Sequence, residues 1–230
     1  MTSKIRCTSC SYGSCALEKL AIQELEKMET TTYQSSFSRG EMIRKQDTPV
    51  NSIIYLRKGY IKEYLNHDNS ADQVIQIIKP MSYIGLMGIY SNANATSLYS
   101  YKAITDTELC FIDKPTFSDL VTGNGAFARE ILYALSEESM KNHHRFLSLN
   151  KNQTYGKVAG LLIYLSENVF EDSKFDIWLS RTEMAQMIAS TRESVTRALG
   201  WFQKENLINL NGNKISIIDS DRLTRISEKG

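Results

Sequence analysis

Residues 180–197 constrain the fold of this chain more than any other segment. Ser180 with Glu183 has the spacing of a capping box, and so has Ser190 with Glu193, so two helices are predicted to start in close succession. The apolar residues at which these helices would contact each other are Ala185, Ile188 and Val195. Two short helices joined by a tight turn form a helix-turn-helix, whose second helix enters the major groove of DNA.

The second helix would present polar side chains to solvent. Arg197 can donate two hydrogen bonds to guanine, and Glu193 can accept one from cytosine. Arg192 suits a base or a phosphate, and Thr196 suits a thymine methyl group. The alternative is a solvated face with a Glu193–Arg197 ion pair worth only about 0.2–0.5 kcal/mol. The candidate phosphate contacts are Arg181, Lys204 and Lys214.

Composition limits the classes of function that fit the chain. Its 230 residues carry a formal net charge of +1, so any attraction to nucleic acid must come from local patches. The sequence contains no apolar run near the roughly 18–20 residues that a membrane span needs, and its N-terminus lacks the apolar core of a signal peptide. We therefore expect a cytoplasmic protein without a membrane partner. Because no nucleophile–base constellation or phosphate-binding loop is present, we expect no enzymatic activity.

The rest of the chain alternates between two kinds of pattern. Residues 17–28 have the periodicity of an amphipathic helix, and residues 33–115 form short apolar runs separated by turn residues, which predict an antiparallel β-sandwich or roll. Residues 116–150 predict one long helix, and residues 154–170 predict another. A β-hairpin around Asn211-Gly212 would follow the helix-turn-helix as the wing of a winged helix.

The long helix has one apolar stripe and no obvious partner within the chain. Such a helix is predicted to pair with its own copy, so we expect a homodimer. The predicted interface residues are Ile131, Leu135, Phe146 and Leu149. His143 and His144 point in different directions on this helix, so they do not form a chelating pair.

Four cysteines form an uneven pattern. Cys7, Cys10 and Cys15 follow a C-x2-C-x4-C spacing, whereas Cys110 lies far along the chain. In a reducing compartment such a cluster indicates a metal or iron-sulfur site rather than disulfides. Zinc also accepts four thiolates, and Cys110 alone is equally explained as a buried strand thiol.

A β-roll, a long helix and a winged helix in this order resemble the Crp/Fnr family of transcription regulators over nearly the whole chain. Glycine-punctuated segments of the roll (37–43, 53–62 and 83–85) are similar to the family's strands, and residues 191–199 are similar to its recognition helix. The resemblance implies an α+β fold with a cyclic-nucleotide-binding-like roll. The expected segments are a cysteine arm (1–16), the roll (17–115), a dimerisation helix (116–150) and a winged-helix DNA-binding domain (151–230).

The two branches of this family differ in their sensor. The cyclic-AMP branch places a Glu shortly after the roll's glycine and an Arg-Ser or Arg-Thr pair further on. Here Gly85 precedes Leu86 and Met87, and the later segment (97–103) has no Arg and only Lys102 as a cation. Because a buried phosphate needs paired cations and donors, no cyclic nucleotide is expected.

The Fnr branch binds a 4Fe-4S cluster through three N-terminal cysteines and one in the roll, which implies the same role for Cys7, Cys10, Cys15 and Cys110. The second gap here is four residues, one fewer than in the Fnr pattern. The resemblance further implies a TGA-containing palindrome in double-stranded DNA and RNA polymerase as partners. The alternatives are a regulator that senses haem or a small ligand, and a redox or metal-handling protein.

Overall fold

The computed structural model describes residues 6–10, 13–67, 72–88, 96–151 and 153–229. The helices are α1 (Ile22–Thr31), α2 (Lys114–Gly123), α3 (Gly125–Lys151), α4 (Thr154–Tyr164), α5 (Arg181–Met187), α6 (Arg192–Lys204) and α7 (Ser220–Lys229). The strands are β1 (Thr32–Phe37), β2 (Met42–Arg44), β3 (Ser52–Lys58), β4 (Ile61–Leu65), β5 (Gln73–Ile78), β6 (Ser82–Ile84), β7 (Ser100–Ala103), β8 (Thr107–Asp113), β9 (Lys174–Asp176), β10 (Ile208–Asn211) and β11 (Lys214–Ile217). Within the described ranges, no helix combines the length and apolarity needed to cross a bilayer.

The chain divides into two compact units, Met1–Glu63 with Ile78–Met140, and Tyr64–Ile77 with Lys141–Gly230. These bounds differ from those of the four segments expected from the sequence, which end at residues 16, 115, 150 and 230. The division into four segments therefore stays a prediction.

Two four-stranded sheets form the predicted β-roll, in the orders β1-β8-β3-β6 and β2-β7-β4-β5. Strand β8 is central, because it pairs antiparallel with both β1 and β3. Its side chains alternate between faces: Leu109 and Phe111 join a core cluster with residues of both sheets, whereas Cys110 and Ile112 join a second cluster. This period of two explains the apolar runs in the sequence.

The second cluster packs helices and the N-terminal segment against the outer face of the β1-β8-β3-β6 sheet. Its buried members from outside the sheet include Ala16, Leu20, Met28, Phe117 and Phe127. Cys110 therefore faces the N-terminal segment rather than the interior of the roll.

Two helical predictions were wrong in their boundaries. The helix predicted over 17–28 is a single 3-10 turn at Leu17–Lys19 followed by α1. The stretch predicted as one helix over 116–150 breaks at Asn124, whose backbone is extended (φ −124°, ψ 99°). The Gly-Asn-Gly sequence at 123–125 is a breaker signal that could have located the interruption.

The unit at the C-terminal end combines helices α4–α7 with the three-stranded sheet β10-β11-β9. Asn211 pairs with Lys214, so the hairpin loop is Gly212-Asn213, one residue later than predicted. Gly212 takes the positive φ of 60° that glycine adopts readily at the first position of such a loop. The hairpin directly follows α6 and supplies the predicted wing.

Candidate DNA-binding surface and cysteine site

Helices α5 and α6 form the predicted helix-turn-helix. Ala185, Ile188 and Val195 are buried, with exposures of 4%, 3% and 0%. The capping box at the start of α5 is also confirmed: the Ser180 Oγ accepts from the Glu183 N–H at 3.2 Å, and the Ser180 N–H donates to the Glu183 Oε2 at 2.8 Å. Capping satisfies the free N–H groups of the first turn and fixes where the helix begins.

The turn between these helices centres on Ala189, which has a left-handed φ of 47°. An L-residue with a Cβ is strained there, and Ala189 stands where many helix-turn-helix units have glycine. The predicted second capping box, Ser190 with Glu193, was wrong by one residue. The N-cap of α6 is Thr191, whose Oγ1 accepts from the Ser194 N–H at 3.2 Å.

The face of α6 opposite its buried side is polar and accessible. Arg192, Glu193, Thr196 and Arg197 are all exposed, as predicted. Arg197 donates from Nη2 to the Ser194 Oγ at 3.2 Å. The Thr196 hydroxyl donates to the Arg192 carbonyl at 2.8 Å. Arg192 and Arg197 are thus both accessible on the solvent side of α6.

The candidate phosphate contacts differ in accessibility. Lys204 and Lys214 are exposed, whereas Arg181 is half-buried and donates to the Met184 sulfur at 3.2 Å. Burial lowers the pKa of the Arg181 guanidinium, because a charged group loses hydration there. The two lysines are therefore the more accessible of the three candidates.

Three of the four cysteines line one small cavity. Cys110 reaches it from the central strand, while Cys7 and Cys10 come from the N-terminal segment, and Arg6 and Tyr55 complete part of the wall. The cavity has a volume of about 20 Å³, room for about one water molecule.

Cys15 does not join this group. Its side chain is exposed, and it is not among the cavity-lining residues. Among the residues that the structure describes, no three or more His, Cys, Asp or Glu side chains stand close enough to hold a metal ion. The donor set has the thiol chemistry of an iron-sulfur or zinc site, and the structure brings three of its members to the wall of one cavity without placing them at ligand distances from a common point.

Burial disfavours the thiolate form of Cys110. Burial raises its pKa to about 11, because the thiolate would lose hydration. The Arg57 guanidinium, only 3% exposed, opposes this rise, and the thiols of Cys7 and Cys10 add to it. A metal that binds here must displace a proton from Cys110.

Two hydrogen bonds that sequence reasoning missed hold the cysteine segment. The Cys7 N–H donates to the Glu29 Oε2 at 3.0 Å, and the Ser14 and Tyr83 hydroxyls lie 2.9 Å apart. Burial raises the pKa of the Tyr83 phenol, so it stays a neutral donor or acceptor. No local sequence signal marks these pairs, because their partners are far apart along the chain.

The predicted dimer residues of α3 fall into different environments. Ile131 is 4% exposed and Leu135 is partly buried, and both pack against their own chain's core. The side chains of Phe146 and Leu149, like that of His144, lie outside the described residues, and His143 is exposed. Among the α3 side chains that the structure describes, the exposed large apolar ones are Leu132 (67%), Tyr133 (65%), Met140 (57%) and Leu147 (49%).

Two parts of the chain match known domain families. Residues 156–226 match the Crp-like helix-turn-helix domain, and residues 34–124 match the cyclic nucleotide-binding domain. Together the two matches cover more than half of the chain and coincide with the helix-turn-helix and with the roll.

Relatives over the full length are transcription regulators. The chain is 24% identical over 226 residues to the transcriptional regulatory protein btr of Bordetella pertussis, covering 96% of this chain and 92% of that protein. It is 23% identical over 227 residues to the transcriptional activator protein anr of Pseudomonas aeruginosa, with coverage of 96% and 92%. Its structure resembles that of FixK2 from Bradyrhizobium japonicum, with a TM-score of 0.76, 18% identity, and coverage of 85% of this chain and 96% of that chain.

Proposed function

Because the chain belongs to the Crp/Fnr family of DNA-binding transcription regulators, we propose that it is a cytoplasmic homodimer that recognises a TGA-containing palindrome and responds to oxygen, nitric oxide or redox state. The proposed sensor is a 4Fe-4S cluster held by Cys7, Cys10, Cys15 and Cys110. The observation that carries this proposal is the meeting of three of these cysteines, from distant parts of the sequence, at one cavity. RNA polymerase is the proposed protein partner, and the chain acts as a regulator rather than an enzyme.

A bound cluster would supply thiolate-ligated iron that oxygen and nitric oxide attack. The residues of the chain have different tasks in holding it. Cys110 offers a ligand fixed by strand pairing on both sides, and Cys7 is held through its backbone by Glu29. Cys15 must move inward from its exposed position, so loading is expected to rearrange the segment that joins it to Cys10.

The DNA contacts follow from the exposed face of α6. Arg197 is proposed to read guanine and Glu193 to read cytosine, with Arg192 on a base or phosphate and Thr196 on a thymine methyl group. Lys204 and Lys214 are proposed to bind phosphates, and Arg181 does so only after leaving Met184.

The dimer is proposed to form through α3. Tyr133, Met140 and Leu147 recur every seven residues and are exposed, which is the pattern of a helix that pairs with a copy of itself. Ile131 and Leu135 then anchor the helix to its own chain's core. Loss of the cluster would loosen the arm, disfavour the dimer and lower DNA affinity by linkage.

The test is an absorbance spectrum with iron and sulfide assays on protein purified without oxygen. We expect about four irons and four sulfides per chain, the full content of one 4Fe-4S cluster, in a brown protein that bleaches in air. Cys110→Ser should abolish loading. Ile112→Val is the matched control, because it alters the same strand face without removing a thiol. Normal iron loading in Cys110→Ser would overturn the proposed cluster site. A Soret band or stoichiometric zinc in the wild type would replace the cluster by haem or by a structural metal.

A further inference from the structure

Asn124 occupies the gap between α2 and α3 and completes both helices. Its N–H donates to the Leu120 carbonyl at 3.0 Å, at the end of α2, and its own carbonyl accepts from the Ala128 N–H at 2.9 Å. Its side-chain Oδ1 accepts from the N–H groups of Ala126 (3.1 Å) and Phe127 (3.0 Å), so Asn124 caps the long helix.

The other half of the same amide holds the N-terminal segment. Asn124 Nδ2 donates to the Lys19 carbonyl at 3.1 Å and to the Glu24 Oε2 at 2.8 Å. That carboxylate oxygen also accepts from the Ala21 N–H at 2.8 Å, at the start of α1. One side chain therefore joins the start of α3 to the turn that follows the cysteines.

An apolar contact joins the same two regions. Phe127, three residues beyond the cap, is fully buried and packs edge-on against Phe117 at 5.4 Å. Both belong to the core cluster that contains Ala16 and Leu20, the residues next to the cysteine segment. The polar junction lies at the edge of this cluster, where Asn124 is half-buried, so it can change without emptying the core.

We propose that Asn124 is a positioning residue that couples the cysteine segment to the dimerisation helix, an inference that rests on the proposed function. Ordering of residues 13–24 places the Lys19 carbonyl and the Glu24 carboxylate where the Asn124 amide bonds them. That bond fixes the direction in which α3 leaves the roll. Release of the segment leaves the cap intact but removes this constraint, and the pairing of α3 with its copy weakens.

The amide can be tested because its two halves have separate roles. Aspartate caps helices as well as asparagine does, so Asn124→Asp keeps the acceptor for Phe127. It removes the donor and sets a second carboxylate against Glu24. Adding Glu24→Gln removes the repulsion between the two carboxylates. After a rotation of its side chain, the glutamine amide nitrogen can donate to the introduced carboxylate while its oxygen accepts from the Ala21 N–H; the bond to the Lys19 carbonyl stays lost.

The experiment compares wild type, Asn124→Asp and the double variant Asn124→Asp/Glu24→Gln at equal iron content. The affinity for a TGA-palindrome duplex is measured with and without iron, and amide hydrogen exchange is followed over residues 17–24 and 125–131. We expect the ratio of the affinity with iron to that without iron to fall at least about tenfold in Asn124→Asp, with faster exchange in both segments. The double variant should recover part of this ratio, because the repulsion is gone while the bond to the Lys19 carbonyl is still missing. A tenfold change corresponds to about 1.4 kcal/mol, the size expected for a charge-assisted hydrogen bond.

The outcomes separate this inference from the proposed function. An unchanged affinity ratio in Asn124→Asp, or a reduced ratio that Glu24→Gln does not raise, overturns the coupling role of Asn124 while the iron-dependent regulator stands. A wild-type affinity that is equal with and without iron overturns the proposed function, and the inference with it.

Discussion

Ala189→Gly is expected to stabilise the helix-turn-helix. Ala189 holds a φ of 47° and its side chain is exposed, so the substitution relieves strain without removing packing. The left-handed conformation costs an L-residue about 1–2 kcal/mol. Glycine also lowers the free energy of unfolding by about 0.4–1 kcal/mol, because it increases the entropy of the unfolded chain. The net gain is about 0.5–1 kcal/mol.

Gly200→Ala is the matched control, with the substitution in the opposite direction. Gly200 lies within α6, and a Cβ added there meets no atom within 4 Å. Alanine in a helix interior is more stable than glycine by about 0.5–1 kcal/mol. Both variants should therefore be more stable than the wild type, although one introduces glycine and the other removes it.

Urea unfolding followed by tryptophan fluorescence measures both effects. The two tryptophans, Trp178 and Trp201, lie within the unit that contains the helix-turn-helix. With a typical slope of about 2 kcal/mol per molar urea, each variant should raise the midpoint by about 0.3–0.5 M. A lower or unchanged midpoint in Ala189→Gly, together with a raised midpoint in Gly200→Ala, would refute the left-handed turn.

The remaining predictions concern four single side chains. In metal-free protein at neutral pH, Cys110 should react with iodoacetamide about a hundredfold more slowly than a free cysteine, because a pKa raised from 9.0 to about 11 lowers the thiolate fraction by that factor. Mass spectrometry of the labelled peptides measures this rate. Labelling of Cys110 at the rate of a free thiol would contradict the prediction. Ser180→Ala should lower the free energy of unfolding by about 1 kcal/mol through loss of the cap of α5, as the same urea titration would detect. Arg197→Ala should weaken binding to the palindrome by about 1–3 kcal/mol and relax specificity at one base, whereas Lys214→Ala should weaken binding to all sequences alike and reduce the salt dependence by about one counterion.

The sequence predicted the features that depend on local spacing. Ala185, Ile188 and Val195 are buried where two predicted helices meet, and the roll follows from apolar runs whose residues alternate between two cores. These patterns can be recognised in the sequence because the buried side chains of one helix or strand recur at a fixed spacing along its length. The Crp/Fnr resemblance, built on the recognition helix, is confirmed by both domain matches.

Features set by contacts between distant residues were not predictable in this way. The apolar period continues through Phe127 and Ile131 and so hides the break at Asn124, which only the local Gly-Asn-Gly signal marks. The bonds from Asn124 to Lys19 and Glu24 have no local signal at all. Ile131 was predicted to face a second chain because periodicity identifies an apolar side but not which core covers it. The N-cap of α6 was predicted at Ser190 and lies at Thr191, because the sequence offers two neighbouring hydroxyl side chains and either of them can cap a helix.

The cysteine spacing predicts a common ligand set, but it does not fix where each thiol points. Ala16 is buried in the core, and the neighbouring Cys15 side chain is left at the surface. The position of Cys15 thus depends on the burial of its neighbour Ala16, and the spacing of the cysteines carries no information about that contact.

The turn at Cys7–Ser9 has no buried residue, whereas Cys110 is bonded within a sheet on both sides. The segment is held by the bond from the Cys7 N–H to Glu29 and by the packing of Cys7 against the core cluster, so it can change position while the paired strands keep theirs. Under the proposed function, molecules that have and have not met oxygen then differ in the position of a few residues, and the amount of protein is the same. Reloading the same molecule with a cluster would therefore reverse the response without new protein synthesis.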